Sequence, residues 1–184
     1  MLRAAPRPLT IQDYRELPEG PPFYQLIEGD LYMAPSPDRF HQDILGNLYV
    51  IIRGHLAKHP TGSVHLAPSD VQLTDLNVFQ PDLYYVTRER RSILNDQGAA
   101  GPPNLVVEIL SARTAKLDKG VKREIYARCG VEEMWIIDPT SQRIAVYHFA
   151  DGIDTPVGNY GMTEKFESIL LPGLEIEVSK VFEQ

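Results

Sequence analysis

The sequence has very little cysteine and no long apolar run. One cysteine, Cys129, among 184 residues cannot form an internal disulfide, so a disulfide-stabilised secreted scaffold is excluded. No apolar stretch approaches the roughly 20 residues that cross a bilayer. The first ten residues lack the apolar core of a secretion signal. We therefore expect a cytoplasmic protein without a membrane partner.

The chain also has no excess of basic residues. The chain has 18 Lys and Arg against 25 Asp and Glu, a formal net charge of −7. A protein that coats nucleic acid non-specifically needs clustered Lys and Arg, so the charge disfavours that class. It leaves room for an enzyme that acts on nucleic acid, because local charge matters more than the total. Basic residues do cluster at 88–91 and 113–128.

What is present is typical of a globular protein. Hydrophobic residues make up 43% of the chain and charged residues 23%. The length predicts a single domain over residues 1–184, with 1–20 as a loose lead-in. Within that lead-in, Thr10 and Asp13 form a weak capping-box pattern that predicts the start of a short helix.

The most informative stretch is residues 103–139, which reads as a strand, a basic helix and a second strand. Glu108 is the single acid in an apolar run over 105–110, and a run apolar on both faces predicts a central strand covered by helices on either side. A carboxylate there is costly unless it is paired, hydrogen-bonded or bound to a cation. In the helix, Asp118 and Lys122 are four residues apart and share a face. Upstream, Asp82 begins another strand-like run.

The remaining patterns complete a mixed α/β fold. Two strand-like runs flank Glu28-Gly29, a hairpin signal. An apolar stripe at helical spacing predicts a helix over 41–58; its members are Ile44, Leu48, Ile51, Ile52 and Leu56. Further predictions are one or two strands over 64–73, a loop or short helix over 88–103, a return strand after Ser141, a surface loop over 151–161 and two short strands near 166–170 and 174–178. We predict one mixed sheet, not a doubly wound one, with a helix on each side and an N-terminal hairpin.

Two acids and a lysine on one small sheet indicate a metal-assisted phosphodiesterase site. Each residue also has a structural interpretation. Asp82 can cap a turn, Lys122 can lie on a solvated basic helix face, and Glu28 can serve only the hairpin. His41 can be a helix-capping or exposed residue. Trp135 is expected in the core or in an interface.

Several segments together resemble a known family. They are YQLIEGDLYMAP, FHQDILGNL, SDVQL…FQPDLYYV and LVVEILSARTAKLDKGVKREIYARCGVEEMWIIDP, which span roughly 24–147. In order and spacing they resemble the Uma-two family of proposed endonucleases, within the PD-(D/E)xK restriction-endonuclease-like superfamily. The resemblance implies a restriction-endonuclease-like core and an enzyme that hydrolyses phosphodiester bonds.

The resemblance also implies roles for individual residues. Asp82 stands at the acid of the PD motif and Glu108 at the first position of the ExK tripeptide. Leu110 occupies the position where the tripeptide has its lysine. In this family the lysine is thought to have moved to the next helix, where Lys122, four residues before Tyr126, matches it.

On this reading the centre holds Mg²⁺ or Mn²⁺ between Asp82, Glu108 and the backbone carbonyl of Ile109. Lys122 then positions or deprotonates the attacking water, or neutralises developing charge. The supporting residues are Glu28 as a further or orienting ligand, Asp118 and Tyr126 in the network around Lys122, and His41 near a phosphate.

DNA is the substrate that the resemblance implies, and cutting two strands favours a homodimer, with an edge strand or the segment around Trp135 as its interface. Two alternatives stay open. One is an inactive scaffold of the same fold that binds nucleic acid or a protein; the acidic net charge and Leu110 favour it, whereas the retained acids and Lys122 oppose it. The other is an unrelated metal-dependent hydrolase of small phosphoesters.

Overall fold

The computed structural model describes residues 7–18 and 20–184. Part of the expected lead-in, residues 1–6 and Glu19, lies outside the described residues. Helix α1 (Ile11–Arg15) begins after Thr10, whose backbone N–H donates to the Asp13 carboxylate at 2.8 Å. The predicted cap and short helix are therefore confirmed.

A six-stranded sheet carries the strand–helix–strand unit. Its strands are β3 (Gly62–Leu66), β6 (Leu83–Thr87), β9 (Leu105–Ile109), β10 (Glu133–Asp138), β11 (Arg143–His148) and β12 (Gly158–Tyr160). Their spatial order is β12-β11-β10-β9-β6-β3. Only the β9–β10 pair is parallel among the described strands of this sheet, because the helical crossover joins those two. β9 is central, as its apolar sequence predicts.

Helices cover both faces of this sheet. On one face, α2 (Arg39–Lys58) buries Ile44, Leu48, Ile52 and Leu56 against the odd-numbered residues of β9. On the other, α4 (Arg123–Cys129) packs Ile125 and Tyr126 against Val106. Since successive strand residues alternate between faces, Glu108 shares the α4 face with Val106.

A second six-stranded sheet corrects the expectation of a single one. Its strands are β1 (Tyr24–Ile27), β2 (Asp30–Met33), β4 (Asp70–Thr74), β5 (Asn77–Phe79), β7 (Leu94–Asn95) and β8 (Gly98–Ala100). They lie in the order β2-β1-β5-β4-β8-β7, and β4 pairs with β8 in parallel. Residues 88–103, expected as a loop or short helix, form a 3₁₀ turn (Arg91–Ile93) followed by β7 and β8.

The predicted hairpin is β1–β2, and its turn explains why Gly follows Glu. Glu28 and Gly29 have φ of 51° and 85°, the positive values of a type I′-like turn. Gly29 also packs tightly, since a Cβ there would lie 2.4 Å from Cβ of Pro8. The turn therefore needs glycine for both its backbone angle and its contact.

The remaining elements close the core. They are α3 (Ala115–Leu117), a π-helical turn (Asp118–Lys122), the pair β13 (Lys165–Glu167) and β14 (Glu175–Glu177), and α5 (Val178–Val181). Trp135 is fully buried and its ring meets Phe166 edge-on at 5.1 Å. Its core interpretation is confirmed, and the suggested interface around Trp135 is wrong for the same reason. Among the described residues, no helix has the length and apolar character to cross a membrane.

Candidate active site

Asp82 and Glu108 lie side by side because their strands pair antiparallel. β6 and β9 align Leu83 with Val107, so the residue before Leu83 lies beside the residue after Val107. The backbone N–H of Ile109 donates to Asp82 Oδ2 at 2.6 Å and holds this carboxylate against the end of β9. Two acids 26 positions apart in the chain thus meet where the strands β6 and β9 lie side by side.

Lys122 joins the carboxylates of Glu108 and Asp118. Its Nζ lies 2.6 Å from Glu108 Oε1 and 3.0 Å from Asp118 Oδ1. The Tyr126 hydroxyl donates to the same Glu108 oxygen at 2.7 Å. Lys122 is only 2% exposed, so it does not belong to a solvated basic face. The four side chains form a buried hydrogen-bonded network.

The helix geometry explains how three of these side chains reach one point. Asp118, Lys122 and Tyr126 follow one another at intervals of four, which places them on one face. That face is turned towards the sheet, whereas Lys116 and Lys119 on the same segment are exposed. The segment is kinked at Gly120, whose backbone angles (φ −111°, ψ −109°) are not helical.

The network holds more carboxyl groups than cations, and burial affects how they ionise. Burial raises the pKa of Glu108 to about 8; Lys122 acts to lower this pKa, while the charges of Asp118 and Asp82 raise it further. Burial acts to lower the pKa of Lys122, but Glu108 and Asp118 outweigh it and hold that pKa above its usual value. The Lys122 ammonium thus contacts two carboxyl groups, those of Glu108 and Asp118, and Asp82 lies beside Glu108. Burial favours the neutral form of Glu108.

His41 extends the centre towards α2. Asp38 caps this helix by accepting the His41 backbone N–H at 2.8 Å, which directs the imidazole to the sheet edge. There His41 Nε2 lies 3.2 Å from Asp82 Oδ1. Burial acts to lower the pKa of His41, but the bond to Asp82 and the charges of Asp82 and Asp38 outweigh it, so the pKa is raised. In the sequence, only the nearby acids Asp38 and Asp43 suggested a role for His41. Its contact with Asp82 is formed by tertiary packing.

Glu28 is not brought to this network. Its side chain is 61% exposed and lies 3.8 Å from Arg128, an exposed ion pair of small energetic weight. Leu110, at the position of the expected tripeptide lysine, is 8% exposed and packs in the apolar core of the α4 face. A lysine at 110 would bury its ammonium among apolar groups, which explains why the cation comes from the helix instead.

A cavity of about 150 Å³ adjoins the network. Asp118 and Lys122 border it on one side, and Tyr32 and Met33 of β2 on another. Sequence reasoning missed the contribution of this hairpin. The available signal was a pair of large apolar side chains on a short strand next to a turn.

The donor set suits a hard divalent cation. In the described part of the chain, no three or more His, Cys, Asp and Glu side chains are arranged to hold a metal ion. Mg²⁺, however, usually takes one or two carboxylates and completes its shell with waters. Asp82 and Glu108, with the Ile109 carbonyl, match that requirement.

Known proteins share this fold. A crystal structure described as a "putative nuclease belonging to DUF820" from Anabaena variabilis superposes with a TM-score of 0.80, covering 95% of this chain and 98% of that one at 19% identity. This likeness shows a mixed α/β fold with mixed sheets flanked by helices, as predicted.

Sequence comparison leads to the family. "Uncharacterized protein slr1290" from Synechocystis is 27% identical over 148 residues, covering 78% of this chain and 75% of that protein. Residues 11–179 match the family model described as "Uma2: Putative restriction endonuclease". With nearly the whole described chain matched, the protein belongs to the Uma2 family, a nuclease-like family.

Proposed function

We propose that this protein is a metal-dependent endonuclease that hydrolyses phosphodiester bonds of DNA with Mg²⁺ or Mn²⁺. The observation that carries the proposal is the buried Glu108–Lys122–Asp118 network beside Asp82. Burying such charges is unfavourable for stability compared with apolar packing. A role in stabilising the negative charge that develops on the phosphoryl group is a sufficient reason to retain these buried charges.

The residues divide the work as follows. Asp82, Glu108 and the Ile109 carbonyl would hold the ion, which would supply charge stabilisation and a more acidic bound water. Lys122 orients the attacking water or donates to a phosphoryl oxygen, and Asp118 holds its ammonium in place. Tyr126 orients Glu108 through its hydroxyl.

Two further residues are assigned from their contacts. His41 orients Asp82 through its contact with Oδ1, whereas the Ile109 N–H holds Oδ2, and we place His41 near the phosphate. Glu28 serves the hairpin turn rather than the centre, because its carboxylate lies with Arg128. A cytoplasmic location and a homodimer remain predictions of the sequence.

Cleavage of supercoiled plasmid and of a labelled single strand tests the proposal. Both substrates are incubated with Mg²⁺, with Mn²⁺ and with chelator. We expect metal-dependent cutting that falls about a hundredfold or more in Asp82→Ala and Glu108→Ala, since each removes a ligand of the ion. Asp151→Ala, an exposed acid on the surface, is purified identically and is expected to cut like the unchanged protein.

Calorimetric titration with Mn²⁺ adds a readout that does not depend on substrate. If Glu108→Ala binds Mn²⁺ as well as the unchanged chain, the site assignment is wrong. Cutting that persists in Asp82→Ala would assign the activity to a contaminant or another site.

The inactive scaffold is the second candidate. Leu110 and the net charge of −7 favour it. An intact fold that binds DNA or a protein but cuts nothing under any metal would establish it. Hydrolysis of small phosphoesters without action on DNA would point instead to the third alternative.

A further inference from the structure

The cavity beside Lys122 is lined by apolar residues together with polar and charged ones, which are Gln25, Arg113, Thr114, Asp118 and Lys122. Ile27, Tyr32 and Met33 of the hairpin line it on one side, and Leu117 on the other. Lys122 belongs both to this lining and to the buried network. A molecule in the cavity therefore lies next to the group that the proposed function assigns to the phosphate.

Its size and lining suit a flat aromatic ring. An apolar cavity of about 150 Å³ accepts a ring the size of benzene in a well-studied model protein. The cavity here has that volume, and a pyrimidine ring is of similar size. Aromatic side chains and methionine sulfur both pack favourably on ring faces.

The hairpin presents side chains that the fold does not use. Tyr32 is 38% exposed and Met33 61% exposed, and neither belongs to an apolar core of the described residues. An exposed aromatic side chain on an edge strand is typical of a binding surface. Tyr32 pairs with Gln25 and so shares the face of Gln25 and Ile27, which also line the cavity, whereas the next residue, Met33, points to the other face of the strand. Arg113, exposed across the cavity, adds a cation that can meet a phosphate or stack on a base.

We propose that this cavity receives one unpaired nucleobase next to the phosphate that is cut. The inference rests on the proposed function and specifies its substrate class, single-stranded or locally unpaired nucleic acid. A base inside a duplex is stacked on both faces and must leave the stack before it can enter such a cavity. A base already unpaired enters without that cost.

The first test maps cleavage along a thymidine oligonucleotide that carries one abasic residue. The other bonds of the same strand serve as an internal reference. We expect the bond that relies on the missing base to be cut roughly tenfold less, the size of one lost base–aromatic contact. In Tyr32→Ala we expect slower cleavage at every bond, and no additional loss of cleavage at the abasic position.

Two matched variants sharpen the test. Met33→Ala removes a wall of the cavity and is expected to raise KM more than it changes kcat. Met162→Ala removes another exposed methionine, which does not line the cavity, and is expected to behave like the unchanged protein. Equal cutting at every bond in both the unchanged protein and Tyr32→Ala would refute the base site and leave the nuclease proposal standing.

A binding measurement separates the two proposals further. A single strand with one fluorescent adenine analogue is titrated with protein in chelator, where no cutting occurs. A change in fluorescence that is lost in Tyr32→Ala supports the base site, even if no metal yields cleavage and the nuclease proposal fails. Tighter binding and faster cutting of a fully paired duplex than of the single strand would overturn the inference.

Discussion

At the scale of single residues, Glu108 makes the stability of the metal-free protein depend on pH. Burial raises its pKa from the ordinary 4.5 to about 8, so the folded chain binds this proton more tightly than the unfolded chain does. Its favourable contribution is complete below pH 4.5 and is lost as the pH rises towards 8.

Glu108→Gln removes this titration and keeps the shape of the side chain. In chelator, we expect the variant to gain stability relative to the unchanged protein between pH 5 and pH 8, by at least about 1 kcal/mol. Urea unfolding at several pH values measures the difference, with Asp151→Ala as a surface control. A difference that stays constant over this range would show that Glu108 ionises normally in the folded chain.

Residues near in sequence were predictable, whereas contacts between distant ones were not. The pairing of Asp118 with Lys122 follows from helical spacing alone. Glu108 is likewise recognisable from the sequence, as an acid within an apolar strand. The contact of His41 with Asp82 depends on how α2 packs on the sheet, and no local pattern encodes that.

At the scale of elements, the hairpin turn is the most sensitive to substitution. Gly29→Ala places an L side chain at φ 85° and a Cβ 2.4 Å from Pro8. We expect a loss in the free energy of unfolding of at least about 1–2 kcal/mol, the cost of left-handed backbone for such a residue. Because β2 lines the cavity, single-strand binding should weaken as well.

Gly46→Ala is the matched control within α2. A Cβ at Gly46 meets nothing within 4 Å, and the residue lies in a helix. Alanine is expected to stabilise the chain there by about 0.5–1 kcal/mol. Urea unfolding of both variants gives the comparison, and effects of the same sign would contradict the described turn.

Elements with strong periodicity were predicted within a few residues. Of the short strands, β13 and β14 were predicted, whereas three others were missed. The apolar stripe of α2 and the apolar runs of β9 and β10 carry enough residues for a clear pattern. β7, β8 and β12 have two or three residues each, which is too few for an alternating apolar pattern to be recognised. Without them, the second sheet could not be foreseen, since β8 pairs with β4 only through tertiary contact.

At the scale of the whole molecule, a net charge of −7 requires that any nucleic acid be held by local cations. Arg113, an exposed residue of the cavity lining, is one candidate. We expect Arg113→Ala to weaken oligonucleotide binding and to lower the slope of log affinity against log salt by about one.

Lys165→Ala tests whether this effect is local. It removes the same unit of charge from β13, where Lys165 pairs with Glu175 away from the cavity lining. Its salt slope should equal that of the unchanged protein. Identical slopes for all three proteins would show that Arg113 meets no phosphate.

The parallel pairing of β9 with β10 has a consequence for synthesis on the ribosome. β10 follows Lys122 in the chain, and its pairing with β9 completes the strand–helix–strand unit that encloses Glu108 and Lys122. A nascent chain that ends before β10 therefore holds Asp82 and Glu108 without an assembled centre. Any activity of this centre would therefore begin only after β10 has been synthesised and has paired with β9.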